Sequence, residues 1–165
     1  MSASTPFDML TVIREALIDS GSFQYVGYYP LDVKKALSNV QNIQTTNYAT
    51  AIIEDGTEQQ SDERILNGYD NIDYYVTIYY FIIGNKGITL KLLHDYETII
   101  KGIMSTPATY TGIVGAKVVY FQSTNKGTKT DTELNEMNMI GYSEGMVGRS
   151  ITYRINMQVA RAGTC

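Results

Sequence analysis

Hydrophobic positions along the chain change their period several times, and each change marks an element. In residues 4–21, STPFDMLTVIREALIDSG, Leu10, Ile13 and Leu17 recur at helical spacing with Met9, Val12 and Ala16 beside them. That stripe predicts an amphipathic helix. Thr5 suits the cap, Pro6 the first helical position and Asp8 the reciprocal place of a capping box, while Gly21 marks the end. FQYVGY (23–28) then reads as a short strand closed by Pro30, and LDVKKALSNV (31–40) as a brief helix or single turn. NYATAIIED (47–55) reads as a strand, followed by the polar GTEQQSDERILNG (56–68), expected to be an extended hairpin connection or arm.

Residues 69–83, YDNIDYYVTIYYFII, place Tyr74, Val76, Ile78, Tyr80 and Ile82 on one face of a strand. The other face receives Asp73, Tyr75, Thr77, Tyr79, Phe81 and Ile83, so the strand is apolar on both sides towards its end. Such a strand needs two covers. One is expected from the helices. The other is expected from a second small sheet formed by residues 113–142, from a neighbouring subunit, or from the domain itself.

NKGITLKLLHDYETIIKGIM (85–104) returns to helical spacing through Leu92, Leu93, Tyr96, Ile99, Ile100, Ile103 and Met104, and Pro107 prevents its continuation. GIVGAKVVYFQ (112–122) predicts a strand, STNKGTKTDTE (123–133) a polar loop, and LNEMNMIGY (134–142) a return strand. In the last element Ile151, Tyr153, Ile155, Met157 and Val159 alternate with Ser150, Thr152, Arg154, Asn156 and Gln158, a strand with one buried face. The order predicts a single α+β domain over residues 1–165. Its mixed or antiparallel sheet packs against two main helices, with a second small sheet or hairpin.

Composition narrows the function. Apolar residues make up 44% of the chain and charged residues 18%, a globular balance. A chain of 165 residues is long enough to bury roughly 70% of its unfolded surface without a disulfide or metal. The net charge of -4 disfavours a basic nucleic-acid groove. The sequence has no apolar run of about 18 residues, so no membrane helix is expected. MSASTPFDML has neither the basic nor the apolar region of a signal peptide, and a cytoplasmic product is expected.

No catalytic or metal site is predicted. His94 is the single histidine, set between Leu93 and Asp95 with no nucleophile motif to serve. Glu54, Asp55, Asp62, Glu63, Asp70 and Asp73 do not have the spacing of a calcium loop. Gly141, Gly145 and Gly148 fit neither a dinucleotide fingerprint nor a phosphate loop. The 14 tyrosines, against no tryptophan, suit an interface where rings pack and hydroxyls stay wet. Cys165, the lone cysteine, excludes an internal disulfide and leaves an intermolecular one open. The polar segments 54–70 and 122–135 exceed ordinary hairpin loops. In the first, Glu58, Asp62, Glu63 and Arg64 form a candidate polar rim and Ile65 with Leu66 an apolar anchor for a subunit interface.

In sequence, an amphipathic N-terminal helix, AIIEDGTEQQ entering an acidic arm, YVTIYYFIIG, the helix KLLHDYETIIKGIM, and β segments closed by RSITYRINMQVAR follow one another. This order resembles the tail terminator family of tailed bacteriophages, with neck and tail-completion proteins as neighbours. The resemblance covers almost the whole chain and rests on the order and character of its segments. The TNKGT loop and the tyrosine content depart from it. It implies a non-enzymatic virion protein without cofactor, assembled in the host cytoplasm as a hexameric ring that caps the tail tube. The implied partners are further copies of the chain, the tail tube protein and neck or connector proteins, with no membrane. Genomic DNA would pass through the bore without specific binding, and six copies at -4 each, or -24, would repel phosphate. A head-closure or other connector protein is the alternative within this class. A small-ligand-binding α+β domain is the alternative outside it and would need convergent polar groups in a pocket.

Overall fold

A computed structural model describes residues 5–29, 31–32, 48–60, 69–83, 86–113, 118–129 and 146–160. Helix α1 spans Pro6–Asp19. Thr5 caps it as the sequence predicts: its Oγ1 accepts the Asp8 N–H at 3.2 Å, and Asp8 Oδ2 accepts the Thr5 N–H at 2.7 Å. The reciprocal pair satisfies two donors that a helix start otherwise leaves open. At the other end Gly21, at φ 69°, donates its N–H to the Ile18 carbonyl, a left-handed turn that glycine enters without strain.

Five strands form one mixed sheet. They are β1 (Tyr25–Tyr29), β2 (Tyr48–Gln60), β3 (Tyr69–Ile83), β4 (Val118–Lys129) and β5 (Met146–Ala160), in the order β1-β2-β3-β5-β4. β1 runs parallel to β2, and the other neighbouring pairs are antiparallel. The parallel pair requires a crossover, which residues 30–47 connect. Helix α2 (Lys86–Ser105) follows β3 and leads into a short 3-10 turn at Pro107–Tyr110. Three hydroxyls close the open carbonyls of the α2 terminus. Thr106 donates to Gly102 O (2.7 Å), Thr109 to Ile103 O (2.9 Å) and Tyr110 to Met104 O (2.6 Å).

Both helices lie on one face of the sheet. Met9, Leu10, Ile13 and Leu17 of α1 and Leu93, Ile100 and Met104 of α2 share a buried cluster with the sheet. From the strands come Ala51, Ile53, Tyr74, Val76, Ile78, Tyr80, Ile82, Ile151, Tyr153, Ile155 and Met157. Each fully buried large aliphatic chain stabilises this layer by about 1.5–3 kcal/mol. The face of β3 expected to lie under the helices is the one found there. On its second face Phe81 is buried together with Thr50 and Ile52 of β2, while Tyr75, Thr77 and Tyr79 are half-buried. This single chain therefore buries one end of that face without a neighbouring subunit.

Several expectations are corrected. The second small sheet or hairpin is not found among the described residues, because Val118–Lys129 joins the main sheet beside β5. Residues 123–129, expected as loop, continue β4, and residues 56–60, expected as connection, continue β2. Polar composition misleads in both cases, since a ladder is bonded through its backbone whatever the side chains are. The brief helix or turn at 31–40 lies outside the described residues except for Leu31 and Asp32, which form a turn, and the return strand 134–142 lies wholly outside them.

Candidate functional site

The chemistry of the described surface concentrates where β1 ends and β2 continues alone. β1 accompanies β2 only from Thr50 to Glu54. Beyond that point Asp55, Gly56, Thr57, Glu58, Gln59 and Gln60 are all exposed, bonded to β3 on one side. The register shifts between Asp55 and Glu58, a bulge. Gly56 makes it possible: a Cβ there would stand 2.3 Å from the Tyr75 carbonyl oxygen.

Two buried or half-buried phenols fasten this acidic run to the sheet, one from each face. The Tyr74 hydroxyl donates to Asp55 Oδ1 from the helix side. On the opposite face the Tyr79 hydroxyl donates to Glu54 Oε2 at 2.6 Å, and its ring lies 5.8 Å from that of Tyr29. Burial raises the pKa of both tyrosines, and the adjacent carboxylates of Asp55 and Glu54 push each further the same way. Both stay protonated donors at neutral pH.

An apolar corner adjoins the run. Phe7 is 65% exposed and Leu31 85% exposed, and both flank Tyr28. The Phe7 and Tyr28 rings are 6.5 Å apart, and the Arg14 guanidinium stands 5.8 Å from the Tyr28 ring centre. Leu31 belongs to the turn that Asp32 ties back to Tyr28. The Asp32 N–H donates to Tyr28 O (2.9 Å), and the Tyr28 N–H donates to Asp32 Oδ2 (2.8 Å). Exposed aromatic and aliphatic groups bordered by charge have the anatomy of a protein contact.

The second polar feature is internal. Glu97 of α2 is buried and accepts from Lys101 Nζ at 2.8 Å and from Arg149 Nη1 of β5 at 3.3 Å. Arg149 is itself buried, beneath α2 and opposite Tyr80 in the register. Burial raises the Tyr80 pKa, Glu97 adds to the rise, and Arg149 opposes it. These groups pin α2 to the sheet.

Of the predicted interface residues, Glu58 is exposed in β2, in register with Tyr74. Asp62, Glu63, Arg64, Ile65 and Leu66 lie outside the described residues, as does Cys165. Glu58 sits on a strand rather than on the expected flexible connection. His94 is exposed on α2, and among the described residues no group of three or more His, Cys, Asp or Glu side chains has metal-binding geometry. None of the described helices is long and apolar enough to cross a membrane.

Sequence reasoning missed Phe7, Leu31 and the Glu97–Arg149 pair. Phe7 carried a signal, since it falls outside the stripe of Leu10, Ile13 and Leu17. The ion pair carried none, because its partners are 52 residues apart. No protein-family model matches the chain, and no curated protein matches it.

Proposed function

We propose that this chain is a structural protein of the virion of a tailed bacteriophage. As a tail-terminator-type subunit it forms a hexameric ring that caps the tail tube, stops its growth and joins the tail to the neck. The observation that carries this reading is the order of the elements. A capped N-terminal helix, three strands, a long helix and two strands build one mixed sheet with both helices on a single face. That is the order on which the family resemblance rests.

Two further features support a role in assembly. Acidic groups outside the arm are spent on structure: Glu97 holds two cations and Asp8 caps α1. The exposed aromatic corner and acidic strand edge lie together, as a contact surface requires.

The test is the length of the tail. Phage that lack this chain are expected to make tails of uncontrolled length that carry no heads, and supplying the chain in trans restores both. Tails of normal length that merely stay unjoined from heads would assign the chain to head closure instead. Normal infectious particles would refute both roles.

A further inference from the structure

We propose that copies of this chain join head to tail through the two edges of their sheets, the acidic outer half of β2 in one copy lying against β4 of the next. The joint deepens the ring reading by naming the surface on which the ring closes.

The outer half of β2 is open on its far side. Among the described residues its only strand partner is β3, and its six residues from Asp55 to Gln60 are exposed. β1 cannot take part equally, because Asp32 folds back over Gly27 and occupies the Tyr28 N–H. At the other end of the strand order, β4 pairs with β5 alone among the described residues. One sheet therefore presents two edges. An edge strand offers a row of backbone donors and acceptors that a partner strand completes.

Charge chooses between the possible pairings. Residues 54–60 contain Glu54, Asp55 and Glu58 and no basic residue, whereas 118–129 contain Lys126 and Lys129 and no acidic one. Two β2 edges would set like charges across the joint, and so would two β4 edges; both are destabilising. The unlike pair is favoured. Because it joins two different surfaces, each copy keeps one edge free for another copy, and such a heterologous contact closes into a ring when the rotation permits. The bulge at Asp55–Glu58 and the carboxylates also oppose pairing with an arbitrary strand, which leaves a charge-matched one as the occupant.

Charge reversal tests the joint. Glu58→Lys alone and Lys126→Glu with Lys129→Glu are each expected to leave a folded chain whose self-association, followed by sedimentation up to the solubility limit and at the ends of purified tubes, is weakened about tenfold or more. An equimolar mixture of the two variants is expected to recover association, since every contact in an alternating ring is again acid against base. Circular dichroism of each variant separates lost folding from lost contact. Variants that associate as the parent does, or a mixture that fails to recover, would overturn the joint while leaving a ring built on other surfaces in place. A parent chain that stays monomeric both in solution and on tube ends would overturn the ring as well.

Discussion

Two glycines of the described chain sit in opposite circumstances. At Gly56 a methyl group would meet the Tyr75 carbonyl at 2.3 Å, a backbone atom that cannot turn aside. Gly56→Ala is therefore expected to destabilise the fold by about 1–3 kcal/mol, the usual range for overpacking. Gly102, inside α2, has nothing within 4 Å of the same position. Gly102→Ala is expected to stabilise by about 0.5–1 kcal/mol through reduced entropy of the unfolded chain. Urea denaturation of the two variants checks both signs. The tyrosines set the behaviour in alkali. Burial raises the pKa of Tyr74, Tyr79, Tyr80, Tyr110 and Tyr153. Unfolded tyrosine ionises near pH 10, so these phenols contribute their full stability below about pH 10 and lose it progressively above, as the unfolded chain releases protons that the fold retains. Absorbance at the phenolate band is expected to rise together with unfolding, and Tyr74→Phe to reduce the alkaline slope. A phenolate signal that develops fully while the fold persists would contradict this. The single residues were partly legible. Thr5, Asp8 and Gly21 act through neighbours three to five places away, within reach of a local reading, whereas the need for Gly56 arises from Tyr75 across a strand pair.

At the scale of elements, hydrophobic period predicted both helices and the apolar parts of β1, β2, β3 and β5, because a buried face imposes its repeat on the sequence. It did not predict the polar ends of β2 and β4. There the ladder is held by backbone groups, and the side chains record only exposure or neighbours remote in sequence. The parallel pairing of β1 with β2 was likewise not legible from either strand. The anchoring of α2 is the same kind of long-range fact. Removing the Glu97 carboxylate leaves Arg149 buried with a lost partner, and Glu97→Ala is expected to cost about 3–5 kcal/mol. Replacing both partners with methionine removes the unpaired charge and is expected to recover most of that loss. Chemical denaturation of the two single variants and the double variant measures the coupling. Independent, additive losses would show that the pair does not act as a unit.

At the scale of the molecule, the helices close one face of the sheet and leave its edges to carry recognition. The acidic half of β2 and the corner of Phe7, Tyr28 and Leu31 lie together at one side. Leu31→Ser removes an apolar group that is 85% exposed, so it is expected to change stability by less than about 0.5 kcal/mol. If the corner is a contact, the same variant weakens assembly; equal assembly with unchanged stability would remove Leu31 from the interface. The proposed role also requires a place and a copy number in the particle. Electron cryomicroscopy of the head-proximal end of the tail should find one six-fold ring of this chain seated on the last layer of the tube. Density for the chain repeated along the tube, or absent from that end, would contradict the terminator reading.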